Sequence, residues 1–412
     1  MSTEVHVFAD WEEFPEPMLV GTLRSTLIKN KEHFRFSYDN GWLQSEYAQR
    51  IDPDLNLYSG EQYGEDSKNF RVFLDSCPDR WGRLLMKRRE AIIALQEKRR
   101  PRVLHEMDYL LGVQDRYRPG ALRFKRSLDG EFLDHDKKPA VPPISSLKEL
   151  EHAALQVEGN GDATDSEYLK WLYILISPGS SLGGARPKAS VVDEKDQLWI
   201  AKFPSRHDDY NIEAWEFVTY QLAIAAHIDM TECRIDRFNS HHHTFLTKRF
   251  DRTPESRRHF TSAMTQLGYY DGEYDASYLE LAQFLWDNGA NTKADLAQLW
   301  RRIVFNIAVS NTDDHLRNHG FIYRRGGWVL SPAYDMNPVT PANGLHLNIT
   351  DNDNSLDYNL ALEVIDFFQL DYSEAKKIKS QVLESVSKWQ EAATNAGISR
   401  SEQQFMASAF NI

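Results

Sequence analysis

Apolar and polar residues follow two different periods along this chain. In the first third, the runs "MLVGTL" and "HFRFSY" are short, rich in strand-forming residues and bounded by polar positions, which predicts strands. The later stretch "RWGRLLMKRREAIIALQEK" has a helical period, as does "YSEAKKIKSQVLESVSKWQEAATNAG" near the C-terminus. Helices and strands alternate between these stretches. The pattern therefore predicts an α+β fold with a mixed first part and a mainly helical end.

A charged stretch with three prolines, Asp129–Ser146, interrupts this pattern. Such a composition favours a linker, so we expect a boundary near residue 140. The length of 412 residues also exceeds one ordinary core and predicts two or three subdomains.

The net charge of −13 argues against broad nucleic-acid or membrane binding, because phosphate binding of that kind needs a basic face. Any DNA contact is expected to be local or supplied by a partner. The two cysteines, Cys77 and Cys233, are far from any CxxC pattern and fit a reducing compartment. Neither a signal-peptide pattern nor an apolar run of about 18 residues is found. We therefore expect a cytoplasmic protein.

The segment Ser310–Pro338 holds the strongest candidate chemistry. Thr292 and Asp295 are spaced as a capping box ahead of an apolar helical stripe, which predicts a helix that ends near Ser310. The polar residues that follow predict a loop carried by this helix. "GFIY" and "WVLS" flank "RRGG" and predict a hairpin, with Asp335 just beyond its second strand.

A loop aspartate, an asparagine five residues later and a third oxygen ligand after a hairpin follow the order of protein-kinase chemistry. Here these residues are Asp313, Asn318 and Asp335. Two hard oxygen ligands can hold Mg²⁺, while a separate carboxylate accepts the hydroxyl proton. Turn capping is the ordinary alternative for such residues. A transition-metal site formed by Asp314, His315 and His319 is a second alternative, although the H-E-x-x-H pattern is absent.

Two further kinase parts precede this segment in the expected order. The stretch "SPGSSLGGARPKASVV" offers backbone N–H groups at Ser180, Ser181, Gly183 and Gly184 for phosphate oxygens, although a plain turn is equally compatible. Lys202 then lies on an apolar face of the predicted strand "QLWIAKFPS" and needs an anion. A nucleotide phosphate and a helix glutamate would serve. Glu216 is the best candidate for that glutamate, and Glu213 is one turn away.

These motifs resemble the HipA-like kinases of bacterial type II toxin–antitoxin systems over nearly the whole chain. "VGTL", "CPDRWGRLLM" and "DYLLGVQDRYRPGALRF" are similar to the family's N-terminal subdomain, and "SSLGGARPKA", "TKRFDR", "NTDDHLRNHGF" and "SPAYDMNP" to its kinase core. The resemblance implies a two-lobed, protein-kinase-like α+β fold with an N-terminal mixed α/β subdomain and a mainly helical C-terminal lobe. The implied parts are residues 1–140, 141–255 and 256–412. It also implies transfer of the ATP γ-phosphate to serine or threonine hydroxyls, with Mg²⁺.

The resemblance assigns roles by position. Asp313 is implied as the catalytic base, His315 as a loop residue that shapes the site, and Asn318 and Asp335 as Mg²⁺ ligands. The implied ATP-binding residues are Gly183, Gly184, Ala185, Arg186, Lys188, Lys202, Glu216, Lys248, Arg249, Phe250 and Asn318. Arg186 and Pro187 depart from the family loop, which often has Gln and Glu there. The extra positive charge could aid phosphate binding, but proline removes an N–H donor.

Family members commonly autophosphorylate a serine in the Gly-rich loop, and Ser181 or its neighbour Ser180 matches that position. The resemblance further implies a small helix-turn-helix antitoxin as partner, with DNA contacted through it, and a translation component such as an aminoacyl-tRNA synthetase as a possible substrate. No membrane partner is expected. The alternatives are a small-molecule kinase and a catalytically weak partner of a DNA-binding antitoxin.

Overall fold

In a computed structural model, the chain divides into two structural units. The first comprises Met1–Arg206 and Asp251–Thr261, and the second His207–Phe250 and Ser262–Ile412. The structure describes residues 2–133, 142–159, 171–172, 175, 184–273 and 275–412. The centre of the predicted linker lies outside these residues, and the three-part division stays a prediction.

An antiparallel five-stranded sheet forms the N-terminal part of the first unit. Alternate residues of its first strand, Val5, Val7 and Ala9, are fully buried, as expected for a strand with one face on a core. The strands predicted from "MLVGTL" and "HFRFSY" are confirmed. In spatial order the strands are Gln62–Tyr63, Lys31–Tyr38, Met18–Ile28, Ser2–Ala9 and Leu122–Lys125.

Helices and one hairpin complete the described part of the first unit. The predicted helix near residue 80 is confirmed as Arg80–Gln96, and it starts there because the Asp79 side chain accepts the N–H of Gly82 at the first turn. The hairpin consists of Lys188–Val192 and Leu198–Lys202. The other helices are Asn40–Gln44, Arg71–Asp75, Glu106–Leu111 and Leu147–Glu158.

The second unit is mainly helical, as predicted for the end of the chain. Its two hairpins pair Cys233–Asp236 with Thr244–Lys248, and Gly320–Arg324 with Gly327–Leu330. The short strand Phe260–Ser262 contains the boundary between the units. The described helices of this unit are Ile212–Ala225, Ala263–Gln266, Tyr278–Asn288, Thr292–Val309, Tyr358–Glu363, Tyr372–Val386, Trp389–Asn395 and Arg400–Met406.

The helix Thr292–Val309 carries the predicted apolar stripe, and the residues of that stripe lie in the core of the second unit. The predicted capping box is wrong. The helix begins at Thr292 itself, and the Thr292 hydroxyl donates to the carbonyls of Leu285 and Gly289. The Asp295 carboxylate instead accepts the N–H of Leu330 at 3.0 Å. A tertiary contact with the hairpin has therefore replaced the local cap.

None of the helices within the described ranges combines the length and the apolar character that a bilayer crossing requires.

Candidate functional site

The polar loop begins where the core helix of the second unit ends. Ser310 adopts the left-handed conformation, with φ 50° and ψ 47°, and its N–H bonds to the carbonyls of Asn306 and Ile307. The N–H of Asn311 also bonds to the carbonyl of Asn306, at 2.9 Å. These bonds satisfy the last carbonyls of the helix and turn the chain sharply. The predicted end of the helix near Ser310 is confirmed, and the loop starts from a rigid support.

Main-chain and side-chain hydrogen bonds close the loop on itself between Asp313 and Asn318. The carbonyl of Asp313 accepts the N–H of His315 at 2.9 Å and the side-chain Nδ2 of Asn318 at 3.0 Å. The N–H of Asn318 bonds to the carbonyl of His315 at 2.8 Å. The Asn318 side chain is buried and oriented, whereas Asp313 is exposed. Since Nδ2 is engaged, the amide oxygen is the atom of Asn318 suited to a cation.

The segment that contains Asp335 is fastened to this loop on both sides. The Tyr334 hydroxyl donates to the carbonyl of Arg317 at 2.9 Å. Beyond Asp335, the N–H of Asn337 donates to the Asn311 side chain at 3.3 Å. Asp335 itself has φ 59°, a left-handed conformation that aspartate tolerates better than most residues. The confirmed hairpin thus returns the chain so that the segments of the three proposed residues meet.

A buried polar network lies beneath the loop, and no sequence pattern signalled it. One oxygen of the Asp314 carboxylate, Oδ2, accepts the Tyr278 hydroxyl, Asn306 Nδ2 at 2.6 Å and His319 Nε2 at 2.9 Å. Burial alone would raise the pKa of Asp314, but the charge and hydrogen bond of His319 and the hydrogen bond of Tyr278 together lower that pKa. Asp314 therefore stays ionised inside the unit.

This network also bears on the alternative metal site of Asp314, His315 and His319. The Asp314 oxygen is surrounded by donors, while the His315 ring stands against the ring of His346 with centroids 5.7 Å apart. Across the part of the chain that the structure describes, no group of three His, Cys, Asp or Glu side chains is arranged to hold a metal. The three residues do not form one ligand set.

The predicted phosphate-loop lysine, Lys188, is held by Asp79 of the first unit, which lies in the motif "CPDRWGRLLM" but had no predicted role. Its ammonium donates to Asp79 Oδ2 at 2.8 Å, and the two side chains are only 3% and 4% exposed. The indole N–H of Trp81 donates to the Lys188 carbonyl at 3.1 Å. Lys202 lies directly opposite Lys188 in the hairpin register. Two like charges on one strand pair disfavour each other, so Asp79 offsets one of them.

The remaining predicted nucleotide-binding residues belong to the Gly-rich loop, to the predicted pair Lys202 and Glu216, and to the predicted hinge. Gly184 and Ala185 are exposed and Arg186 is half-buried, while Gly183, Ser180 and Ser181 lie outside the described residues. Glu216 is buried on the helix Ile212–Ala225, in the second unit, whereas Lys202 belongs to the first.

The predicted hinge residues Lys248, Arg249 and Phe250 lie at the end of the strand Thr244–Lys248 and just after it. The ring of Phe250 lies 5.6 Å from that of Tyr334, beside Asp335. The second unit therefore brings the predicted hinge next to the segment of the proposed metal ligand.

The donor set of the loop fits magnesium in its chemistry. Asn318 offers an amide oxygen and Asp335 a carboxylate, and Mg²⁺ prefers hard oxygen ligands of these kinds. Asp313 provides a separate exposed carboxylate on the same loop. The assignment of these roles stays a prediction.

Comparison with known proteins identifies relatives of the chain. The family model of the HipA-like C-terminal domain matches residues 180–396. Y4dM of Sinorhizobium fredii, named as an inferred kinase, is 32% identical over 158 residues, which are 35% of this chain and 38% of that protein. A protein of Haemophilus influenzae, also named as an inferred kinase, is 27% identical over 195 residues, 41% of this chain and 57% of that protein. The matches thus span less than two thirds of these relatives.

A solved structure shows the same fold over most of the chain. It is the HipA protein of Shewanella oneidensis MR-1 in its complex with HipB and operator DNA, with a TM-score of 0.65 and 16% identity. The match covers 95% of this chain and 93% of that one. The predicted HipA-type α+β fold is confirmed by this likeness.

Proposed function

This chain belongs to the HipA-like family, and we propose that it is an ATP- and Mg²⁺-dependent serine/threonine-protein kinase. The proposal rests chiefly on one observation in the second unit. Hydrogen bonds join the segment of Asp335 to the loop of Asp313 and Asn318, so that two oxygen ligands and one separate carboxylate belong to one connected structure. This combination suits phosphoryl transfer, which depends on positioning and on charge stabilisation.

In this proposal each side chain has a distinct task. The exposed Asp313 carboxylate accepts the proton of the acceptor hydroxyl while that oxygen bonds to the γ-phosphorus and ADP departs. Asn318 and Asp335 would hold Mg²⁺, which when bound offsets negative charge on the phosphate oxygens. His315 shapes the loop through its main-chain bonds to Asp313 and Asn318.

The residues proposed to bind ATP are those of the Gly-rich loop, Lys202, Glu216 and the hinge Lys248–Phe250. Ser181, or Ser180, is the proposed autophosphorylation site. A phosphate carries about −1.5 to −2 charge at neutral pH, so a phosphorylated loop would repel the phosphates of ATP. This chemistry would switch the enzyme off.

The partner and the target are proposed by analogy with the family. The S. oneidensis relative is bound to HipB and operator DNA. We propose a similar small DNA-binding antitoxin for this chain, with DNA contacted through it, and a protein of the translation apparatus as target.

The decisive experiment incubates purified protein with Mg²⁺, γ-labelled ATP and a cell lysate, and follows label in protein. Asp313→Ala should lower transfer by about 10²- to 10⁴-fold, the usual contribution of general acid–base catalysis. Asp366→Ala, which removes another exposed aspartate of the second unit, is the matched control and should keep wild-type activity.

Phosphopeptide mapping of the same samples tests the acceptor serine and the target. Equal labelling by wild type and Asp313→Ala would refute the kinase proposal. Label found only in small molecules would instead indicate a small-molecule kinase.

A further inference from the structure

The buried network beneath the catalytic loop converges on a single carboxylate oxygen. Tyr278, Asn306 and His319 all donate to Asp314 Oδ2. These side chains belong to residues that are at most 3% exposed. Since the acceptor is a carboxylate, His319 must carry its proton on Nε2. The network therefore orients the His319 ring with Nε2 toward the carboxylate, and it fixes the orientation of the Asn306 amide.

The network continues to the segment of Asp335. With Nδ2 of Asn306 committed to Asp314, its Oδ1 accepts Asn311 Nδ2 at 3.1 Å. Asn311 Oδ1 in turn accepts the main-chain N–H of Asn337 at 3.3 Å. One continuous set of hydrogen bonds thus runs from His319 through the core helix to the far side of the loop.

Each residue proposed for the chemistry has a network member close to it in the chain. Asp314 follows Asp313, His319 follows Asn318, and Asn337 lies two positions after Asp335. The central member, Asn306, lies on the last turn of the helix Thr292–Val309 and is fully buried. The support is therefore carried by a buried helix, and it reaches all three segments.

Such an arrangement is costly if stability alone is considered. An ionised carboxylate in an interior loses its hydration, and well-packed apolar residues can often replace buried polar groups without loss of stability. A connected polar network, in contrast, favours one geometry, because each donor needs its acceptor in a defined place. Phosphoryl transfer is sensitive to geometry, because a misplacement of about 1 Å can cost 10²-fold in rate.

We propose that Asp314 is a positioning residue that holds Asp313 and Asn318, and through Asn311 the segment of Asp335, in their working arrangement. The inference rests on the proposed kinase function and deepens it. Asp314 touches no reacting atom in this proposal. It acts by presenting one acceptor to Tyr278, Asn306 and His319, and so fixes the main chain on either side of the loop.

The first test is Asp314→Asn, which keeps the size of the side chain and removes its charge. The rate constant of γ-phosphate transfer per folded molecule should fall by about 10- to 100-fold, the typical loss when a supporting hydrogen-bond partner is removed. The dissociation constant of a fluorescent ATP analogue should change by less than about 3-fold, since the proposed nucleotide contacts are kept. Urea unfolding curves at the assay temperature give the folded fraction.

The second test asks whether the hydrogen bond from His319 or only its bulk is needed. Gln offers an Nε2 donor in a similar place, whereas Leu fills the space without a donor. His319→Gln should therefore keep most of the transfer rate, and His319→Leu should lose about as much as Asp314→Asn. A purely structural role predicts that both variants have the wild-type rate per folded molecule.

Asp295→Asn is the matched control, because Asp295 is another buried carboxylate on the same helix as Asn306, and it accepts the main-chain N–H of Leu330. It should leave the transfer rate per folded molecule unchanged. Asp313→Ala is measured in parallel. If Asp313→Ala is as active as wild type, the kinase proposal fails; if it is inactive while Asp314→Asn and His319→Leu have wild-type rates, the positioning proposal alone fails.

Discussion

The polar loop of the second unit and the hairpin Lys188–Lys202 of the first unit each contain a buried charged side chain. The two buried charges are stabilised in different ways. Beneath the loop, the Asp314 carboxylate accepts hydrogen bonds from Tyr278, Asn306 and His319. In the hairpin, the Lys188 ammonium forms an ion pair with the Asp79 carboxylate. The first arrangement shares one acceptor oxygen among three donors, and the second includes a direct ion pair between opposite charges.

The two units also differ in whether the buried charged residue is itself a residue predicted to take part in the chemistry. The network leaves the neighbouring Asp313 exposed, so the charged group available for chemistry is distinct from the one that supports it. Lys188, in contrast, was predicted to bind phosphate, yet its ammonium donates to Asp79. Either Asp79 tunes a phosphate-binding lysine or Lys188 serves mainly to fasten the hairpin to the helix Arg80–Gln96. Substitutions in the pair and in the loop distinguish these possibilities.

The largest effect is expected when the Asp79–Lys188 pair is broken on one side. Asp79→Leu should lower the free energy of unfolding by about 3–5 kcal/mol, because it leaves the buried ammonium of Lys188 without that carboxylate. The double variant Asp79→Leu with Lys188→Met should recover the part of the loss that comes from the ion pair, but not the roughly 1 kcal/mol from the lost N-cap of the helix Arg80–Gln96. Urea denaturation followed by tryptophan fluorescence measures both, with hydrogen exchange of the strand Lys188–Val192 as a local readout.

The exposed pair Arg24–Glu4 is the control for these variants, since its side chains are 26% and 47% exposed. Glu4→Leu should cost at most about 1 kcal/mol. If the double variant is as unstable as the sum of both single variants, the two residues are not coupled. Lys188→Met also tests the nucleotide role directly, because weaker ATP binding at unchanged fold would assign Lys188 to the phosphates.

In the second unit, the substitution to compare with Asp79→Leu removes the proposed metal ligand Asp335. Asp335→Asn should lower transfer by more than about 100-fold, since even outer partners of a metal site contribute 10- to 100-fold. Asparagine tolerates the left-handed φ of 59° at this position, so the backbone should be preserved. Transfer rates measured over a range of Mg²⁺ concentrations should show partial recovery at high Mg²⁺.

The helix cap Asp357, which accepts the N–H of Asn359, provides the matching control. Asparagine is an equally good cap, so Asp357→Asn should change neither rate nor Mg²⁺ dependence. An unchanged Mg²⁺ dependence in Asp335→Asn would remove Asp335 from the proposed site.

What the sequence predicts well in this protein is local. The end of the helix near Ser310 and the hairpin after the loop were both predicted, and each depends on residues within one or two turns of chain. Local periodicity and turn chemistry were sufficient here.

What the sequence did not reveal depends on tertiary partners. Asp79 is 109 residues from Lys188, and Tyr278 is 36 residues from Asp314. Asp295 matched a capping pattern, but the hairpin strand needed an acceptor for the N–H of Leu330. The adjacent Asp313 and Asp314 look alike in sequence, and only the fold shows that one is exposed and the other buried. A chemical role and a supporting role could not be separated without it.

The two units also offer a matched pair of buried aspartates for a pH experiment. Burial raises the pKa of Asp295 to about 6 in the second unit, and burial likewise raises that of Asp52 to about 6 in the first. A carboxyl group with a raised folded-state pKa stabilises the fold below its unfolded pKa, near 4, and this contribution is lost as the pH rises through about 6.

Asp295→Asn should therefore become more stable relative to wild type by about 2 kcal/mol between pH 4 and pH 7. Asp52→Asn should show the same trend, with hydrogen exchange assigning each effect to its own unit. Urea unfolding at several pH values measures the difference, and a difference that is flat with pH would mean that the charge is well compensated in the fold.

The smallest expected effect compares two glycines with positive φ, Gly184 near Lys188 and Gly326 in the hairpin turn of the second unit. Their φ values are 93° and 102°, so alanine at either position should cost about 1 kcal/mol in backbone strain. A Cβ at Gly184 would lie 3.3 Å from the Lys188 ammonium, whereas a Cβ at Gly326 meets nothing within 4 Å. If this loop binds phosphates, only Gly184→Ala should weaken binding of a fluorescent ATP analogue, by several-fold. If the two variants bind the ATP analogue equally well, Lys188 and its neighbours only support the structure. Lys188 would then have the same kind of role that we propose for Asp314 in the second unit.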